Sequence, residues 1–172
     1  MLRIETARLI ITEFTLDMAE AVQRNSLDAD NRRFVPDEVF ETLEEARETV
    51  AFLISRYGTA DGPFVHPVLL REGVNIGYVQ LARVEDGWEV GYHIAQPYTG
   101  QGYAAEAVRG FLPVIAREKG VGRIYGICLK ENLASQKVLA RCGFRIIFEG
   151  KGEYQGSERE IVRAIWSSDQ MR

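Results

Sequence analysis

Cysteine is scarce in this chain of 172 residues, which contains only Cys128 and Cys142. Two cysteines cannot form the disulfide framework of a small secreted domain, and so low a content is typical of a reducing compartment. Long apolar runs are also missing. No segment approaches the roughly 18 consecutive apolar residues that span a membrane, and residues 1–5 lack the apolar stretch of a signal peptide. These absences predict a cytoplasmic protein with no membrane partner.

Positive charge does not dominate either. The sequence has 21 Lys and Arg against 25 Asp and Glu, a formal net charge of -4. A general nucleic-acid-binding protein needs a concentrated positive surface to neutralise phosphates, so we expect no nucleic-acid partner. His, Cys, Asp and Glu form no cluster at metal-ligand spacing, and we therefore expect no metal. A small basic pocket for one anionic ligand is still compatible with this balance.

Composition and periodicity favour a mixed α/β domain. Hydrophobic residues make up 46% and charged residues 27% of the chain, and its length fits one domain over residues 1–172. The apolar pattern predicts about seven strands and about four helices. The predicted strands are Arg8 to Phe14, Val65 to Arg71, Val74 to Arg83, Trp88 to Ile94, Arg123 to Leu129, Phe144 to Glu149 and Glu160 to Trp166. The second, third and fourth of these are expected to form an antiparallel meander.

The predicted helices begin near Leu16 and at Thr42, cover Gly102 to Lys119, and run from Asn132 to Cys142. Thr15 and Thr42 are typical N-caps, and Glu45 stands at the spacing of a capping box. Residues 32–40 fit neither pattern, and Pro36 favours a loop there.

The most informative stretch, residues 91–107, is a strand, a short loop and a helix. Gly100 and Gly102 lie where the loop enters the helix. Glycine adopts positive φ easily, and the free N–H groups of a first helical turn attract an anion such as a pyrophosphate. The alternative is that both glycines only shape a turn. The pattern lacks the Gly-Lys-Ser/Thr of a kinase-type phosphate loop and the third glycine of a dinucleotide fingerprint.

Four segments in this order resemble the GCN5-related N-acetyltransferase (GNAT) superfamily, and more closely its branch of ribosomal-protein N-terminal acetyltransferases. They are Thr6-Ala7-Arg8-Leu9, Glu89 to Ile94, Tyr98 to Ala107 and Asn132 to Phe144. They resemble the patterns T-x-R-L, E-I-G-Y-x-I, W-G-K-G-Y-A-T-E-A and N-x-x-S-x-x-V-x-x-K-x-G-F of that branch. The resemblance runs over nearly the whole chain.

The resemblance implies a GNAT fold, which is a mostly antiparallel sheet of seven strands flanked by about four helices. Its fourth and fifth strands, here Trp88–Ile94 and Arg123–Leu129, would splay apart in a V. The pantetheine arm of acetyl-CoA, the implied cosubstrate, would lie in this opening and pair with the backbone around His93, Ile94 and Ala95. The residues implied for the pyrophosphate are Thr99, Gly100, Gln101, Gly102, Tyr103 and Ala104. The superfamily prefers Gln or Arg at Thr99, and the branch often has Lys or Arg at Gln101, so phosphate binding would rest on backbone amides.

Acetyl transfer to an amine requires a neutral amine, a polarised carbonyl and a protonated leaving thiolate. The resemblance implies Ser135 as the acid for the thiolate, and Asn132 and Ser135 as contacts of the coenzyme arm. Glu89 and His93 alternate onto one strand face and are candidate bases. The structural alternatives are a helix residue near its cap for Ser135, an N-cap for Asn132, a surface carboxylate for Glu89 and a hydrogen-bonded, partly buried histidine for His93.

Two functions remain open from the sequence. The first is an acetyl-CoA-dependent N-acetyltransferase that binds its cosubstrate and a primary amine together in a ternary complex. The amine, either a protein N-terminus or a small amine, would attack the acetyl group directly. The acceptor site would be lined by the helical region of residues 16–57 and by the loop near Tyr154-Gln155-Gly156. The second is a CoA-binding sensor or interaction module without catalysis. Dimers are common in the family, so a homodimer stays open, but the sequence does not determine the oligomeric state.

Overall fold

The computed structural model describes residues 1–171, and its framework is an eight-stranded β-sheet. The strands are β1 (Ile4–Glu5), β2 (Leu9–Ile11), β3 (Phe64–Leu70), β4 (Asn75–Val84), β5 (Gly87–Ile94), β6 (Arg123–Leu129), β7 (Arg145–Tyr154) and β8 (Ser157–Ser167). They lie in the order β1-β2-β3-β4-β5-β6-β8-β7. The predicted meander of β3, β4 and β5 is confirmed. The predicted count of seven strands was one too low, because the two residues of β1 are too few for an alternating pattern.

The described residues contain five α-helices, where about four were predicted. They are α1 (Ala19–Ser26), α2 (Ala29–Phe34), α3 (Leu43–Arg56), α4 (Tyr103–Lys119) and α5 (Leu133–Arg141). The additional helix α2 lies partly in the segment that was ambiguous in sequence, and Asp28 caps it by accepting a hydrogen bond from Asn31 N at 2.7 Å. Within residues 1–171, no helix has both the length and the apolar character required to cross a membrane.

Of the two threonines predicted to be N-caps, only Thr42 makes a capping hydrogen bond. Thr42 Oγ1 accepts from Glu45 N at 3.1 Å, which confirms the predicted start of α3. Thr15 makes no capping bond to the backbone, because its hydroxyl is hydrogen-bonded to the side chain of Asp17. The chain after Thr15 therefore begins with a short 3-10 turn, Leu16–Met18, and α1 follows it.

Helices cover both faces of the sheet, because its central strands are apolar on both sides. Phe64 and Val68 of β3 belong to the larger core cluster, with Phe111 of α4, whereas Val65 belongs to a smaller cluster with Val50 of α3. Successive side chains of a strand point to opposite faces. α4 and α3 therefore lie on opposite faces of the sheet.

The predicted splay is confirmed between β5 and β6, the only parallel neighbours in the described sheet. These strands pair at a single position, Glu89 with Tyr125. β5 is paired with β4 along its whole length, from Gly87 to Ile94, and β6 is paired with β8 from Arg123 to Leu129. Each strand is thus held by its outer neighbour while the inner edges separate beyond Glu89.

Gly77 sets how closely β4 approaches β5. Its φ is +157°, and a Cβ built there would lie 1.9 Å from the carbonyl oxygen of His93. We expect Gly77→Ala to lower the free energy of unfolding by about 1–3 kcal/mol or more, because the His93 carbonyl belongs to the backbone and cannot rotate away from the new Cβ. Urea denaturation measures the difference. Gly58→Ala is the control, because a Cβ there meets no atom within 4 Å, and an equal loss in both variants would contradict the close approach.

Candidate active site

The gap between β5 and β6 opens into a cleft of about 540 Å³. Seven of the residues predicted for the site line it: Glu89, His93, Ile94, Thr99, Ala104, Asn132 and Ser135. The other predicted residues, Ala95, Gly100, Gln101, Gly102 and Tyr103, are not part of its wall. Beyond Glu89, the inner edge of β5 has no partner strand among the described residues. Its backbone groups are therefore available to an extended ligand.

The loop that leads into α4 has the backbone expected of an anion site. Gly100 and Gly102 have φ of +77° and +84°, which favours glycine at both positions. Gly102 is the N-cap of α4 and makes no side-chain capping bond. The N–H groups of the first turn therefore remain uncapped at the positive end of the helix. This arrangement fits a phosphate group held by main-chain donors.

Arg8 brings a positive charge to this loop, a contact that sequence reasoning missed. Its Nη1 donates to the Gln101 carbonyl at 2.9 Å, and its guanidinium lies 4.3 Å from the centroid of the Tyr103 ring. Glu106 in the first turn of α4 orients it, because its carboxylate accepts from Arg8 Nε, Arg8 N and Thr6 Oγ1 at 2.7–3.0 Å. The Thr6-Ala7-Arg8-Leu9 segment thus fastens the N-terminal hairpin to the loop.

The start of α5 forms the opposite wall of the cleft. Asn132 Oδ1 accepts from Ser135 N at 3.1 Å, so Asn132 is the N-cap of this helix. The half-buried Ser135 lines the cleft, and its side chain lies within hydrogen-bonding reach of the Tyr92 hydroxyl. Tyr92, which sequence reasoning did not single out, donates from β5 to the Ser135 carbonyl at 3.2 Å. Burial raises the pKa of Tyr92, so this hydroxyl keeps its proton and links both sides of the splay.

His93 is engaged by its neighbours. Its Nε2 lies 3.0 Å from Asp28 Oδ2 and 3.3 Å from the Asn25 carbonyl. The same Asp28 oxygen accepts from Gln96 N at 3.1 Å. Asp28 therefore ties the end of β5 to the start of α2, and the imidazole is hydrogen-bonded and partly buried.

Two glutamates in the cleft have strongly perturbed pKa values. Burial raises the pKa of Glu89 to about 7, although Arg163 opposes the shift. Burial, with the nearby charge of Asp37, raises the pKa of Glu38 to about 7. Glu38 also accepts a hydrogen bond from the Tyr78 hydroxyl. Both carboxylates can therefore gain or lose a proton near neutral pH.

Glu38 was not predicted, and no local signal could have identified it. It ends a short 3-10 turn, Pro36–Glu38, in the segment that was ambiguous in sequence. Tyr154, from the expected acceptor loop, lies close by, and its hydroxyl donates to the Phe34 carbonyl at 2.9 Å. Burial is the main cause that raises the pKa of Tyr154 to about 12, and the charges of Cys128, Glu89 and Glu38 add to it.

The cleft wall is acidic. Among the described residues that line it, the charged ones are Asp30, Glu38, Glu89, Glu131 and Glu153, and none is a Lys or Arg. A cationic group such as an ammonium is therefore favoured beside these carboxylates, while the uncapped start of α4 meets the cleft at Thr99 and Ala104.

The raised pKa of Glu89 has a consequence for stability. Burial raises it from 4.5 to about 7, so the folded protein retains a proton that the unfolded chain releases, and stability falls as pH rises from about 4.5 to 7. We expect Glu89→Gln to be more stable than the wild type at pH 8, by up to about 3 kcal/mol, with a smaller advantage at pH 5. Urea denaturation at both pH values measures this. The exposed Glu20→Gln is the control, and an advantage independent of pH would contradict the shift.

Comparison with known proteins identifies the family. Residues 8–145 match the model of the acetyltransferase (GNAT) domain. An uncharacterized N-acetyltransferase of Bacillus subtilis, YnaD, is 32% identical over 147 residues, which cover 84% of this chain and 83% of the relative. The FsC-acetyl coenzyme A-N(2)-transacetylase of Aspergillus fumigatus is 27% identical over 150 residues, which cover 81% of this chain and 63% of that protein.

Solved acetyltransferases share the fold at lower identity. The ribosomal-protein-S5-alanine acetyltransferase from Vibrio fischeri has a TM-score of 0.85 and 18% identity, and 100% of each chain is covered. RimL, a ribosomal L7/L12 alpha-N-protein acetyltransferase solved in complex with coenzyme A, has a TM-score of 0.84 and 18% identity, with 98% of this chain and 99% of that chain covered. The chain belongs to the GNAT acetyltransferase family and is an N-acetyltransferase that uses acetyl-CoA as its cosubstrate.

Proposed function

We propose that the cleft joins acetyl-CoA and a primary amine in a ternary complex, and that the amine attacks the acetyl group directly. The observation that carries this proposal is Glu89, whose pKa is raised to about 7 by burial at the position where β5 and β6 part. A carboxylate at that position can receive a proton from an amine while the unpaired edge of β5 holds the cosubstrate.

The chain offers two backbone features to the cosubstrate. The free edge of β5 at His93, Ile94 and Ala95 would pair with the pantetheine arm, and the amides from Thr99 to Ala104 would bind the pyrophosphate. Uncapped amides at Gly102 and the neighbouring Arg8 support this assignment. When bound, acetyl-CoA supplies the thioester whose acetyl carbon is the electrophile.

Glu89 is the proposed general base. An ammonium enters the acidic cleft and gives one proton to the Glu89 carboxylate, which leaves the nitrogen lone pair free to attack. A base is most effective when its pKa is close to the working pH, and about 7 meets this requirement. Glu38 provides a second carboxylate in the same wall and favours the cationic form of the entering amine.

Ser135 is the proposed acid. As the nitrogen–carbon bond forms and the carbon–sulfur bond breaks, the Ser135 hydroxyl gives its proton to the departing thiolate. The nitrogen releases its second proton in the same step, and that proton restores the Ser135 hydroxyl, so the products are a neutral amide and a free thiol. The Tyr92 hydrogen bond to the Ser135 carbonyl fixes the helix that carries this serine. His93 has a different part in this proposal, because Asp28 engages its ring. Its backbone would contact the cosubstrate, and its ring would position α2 against β5.

Residues 1–172 act as a single domain in this proposal. We do not adopt the alternative of a CoA-binding module without catalysis, because the relatives of this chain are N-acetyltransferases.

Glu89→Gln is expected to lower kcat by about 10²- to 10⁴-fold, because the amide cannot accept the proton. Ser135→Ala is expected to lower kcat as well, and both variants should keep the wild-type Kd for acetyl-CoA. Thiol release measures kcat, and calorimetry measures the Kd. The wild-type rate should rise as pH increases through about 7, and Glu89→Gln should lose this rise.

Glu20→Gln, a change at an exposed glutamate that lines neither cavity, is the matched control and should retain the activity. Wild-type rates in both Glu89→Gln and Ser135→Ala would remove these two residues from the mechanism.

Arg8→Met is expected to weaken binding of CoA by roughly fivefold, or about 1 kcal/mol for a partly exposed charge. The substitution removes the cation beside the α4 loop and its hydrogen bond to Gln101. The loss should shrink at high salt, where this charge is screened. Arg71→Met is the control, because Arg71 is similarly exposed and is also in an ion pair, but its partner is Glu5 and not a residue of α4. Equal Kd values for both variants would show that Arg8 does not serve the phosphate site.

A further inference from the structure

A second cavity continues from the cleft and suggests which amines this enzyme accepts, an inference that rests on the proposed function. It has a volume of about 290 Å³ and shares Glu38, Tyr78, Gln80 and His93 with the cleft wall. Small-molecule pockets usually measure about 300–1,000 Å³, so this cavity suits one side chain rather than a large ligand. It begins at the carboxylate beside which the amine would lie.

The wall of the second cavity is mostly apolar. It is formed by side chains between α1, α3 and the sheet, including Phe14, Val22, Phe40, Leu53 and Val65. An aliphatic or aromatic group that enters this space is removed from water, which stabilises the complex by about 25 cal/mol per Å² of buried apolar surface. A short polar side chain gains little there.

The charges of both walls exclude a free carboxylate near the amine. Neither cavity has a Lys or Arg among the described residues that line it, whereas Asp37 and Glu38 line the second cavity. An ammonium is stabilised by these carboxylates, whereas a carboxylate on the next carbon atom would lie beside Asp37, Glu38 and Glu89 with no Lys or Arg among the described residues of either wall. A free amino acid therefore fits poorly.

Two buried asparagines in the wall leave one acceptor and one donor unused. Asn31 and Asn75 are 1% and 6% exposed. Asn31 Nδ2 donates to the Ser26 and Glu38 carbonyls at 2.9 and 3.1 Å, so the remaining polar atom of its amide is the acceptor Oδ1. In Asn75, Oδ1 accepts from Gly77 N at 3.0 Å, and the remaining polar atom is the donor Nδ2.

Asn31 Oδ1 and Asn75 Nδ2 have no partner among the residues that the structure describes. Buried polar atoms are nearly always hydrogen-bonded. An amide group offers the complementary pair, an N–H and a carbonyl, without a charge.

We propose that the acceptor is a primary amine with an aliphatic or aromatic side chain and a neutral amide on the adjacent carbon. The first residue of a peptide and an amino acid amide both have this chemistry. The amino group would lie at Glu38 and Glu89, and the apolar side chain would fill the second cavity.

A panel of four amines tests each part of this proposal with the wild-type enzyme. L-leucinamide is compared with L-serinamide, L-leucine and 3-methylbutylamine, which lack the apolar side chain, the neutral amide and any amide, respectively. We expect kcat/KM for L-leucinamide to exceed each of the others by about tenfold or more. Equal kcat/KM for L-leucinamide and any one of the three would overturn the proposal while acetyl transfer itself stands. Thiol release with none of them, nor with other amines, would instead overturn the proposed function.

Filling the cavity provides a second test. Thr49 of α3 lines the second cavity but not the cleft, so Thr49→Phe should lower the ratio of kcat/KM for L-leucinamide over L-serinamide towards one. Ala51→Phe, at an exposed position of the same helix, should leave that ratio high. A high ratio in Thr49→Phe would contradict the assigned pocket.

The peptide Leu-Gly-Gly-amide distinguishes the two kinds of acceptor, a peptide N-terminus and an amino acid amide. A kcat/KM above that of L-leucinamide indicates a peptide N-terminus, and a lower kcat/KM indicates an amino acid amide.

Discussion

The interruption of one strand pairing is the constraint on which the site depends. β5 and β6 meet only at Glu89 and Tyr125, and beyond that point the backbone of β5 has an unpaired inner edge. An unpaired strand edge is normally a liability, because its donors and acceptors can pair with another chain. Here the outer neighbours β4 and β8 hold the two strands in place. The gap is therefore a fixed feature of the sheet, with an edge available to an extended ligand.

The charges of the molecule are separated along this gap. At one end lie the uncapped start of α4 and the guanidinium of Arg8, which forms an ion pair with Glu106. In the middle, Glu89 and Glu38 lie in a wall that has no cation among the described residues. This division favours an anionic cosubstrate and a cationic acceptor in adjacent places. It has a cost in stability, since burial of these carboxylates raises each pKa to about 7.

The second face of the sheet gives the enzyme its specificity in our proposal. Helices α1 and α3 form a small core cluster with β3, and a cavity remains between this cluster and the β4–β5 pair. Asp28, through His93 and Gln96, keeps the neighbouring α2 against the end of β5. The acceptor side of the site is thus built from helices, while the cosubstrate side is built from strands.

The sequence by itself determined what short-range physics controls. Periodicity and helix caps correctly gave β6, the capped start of α3 and the Asn132 cap of α5, and the order of motifs gave the family and the splay. Only the tertiary structure decided contacts between distant segments. Arg8 and Glu106 are 98 residues apart, and Glu38 becomes a buried carboxylate because Tyr78 and the cleft wall surround it. Burial, and with it the pKa, depends on neighbours that no local pattern encodes.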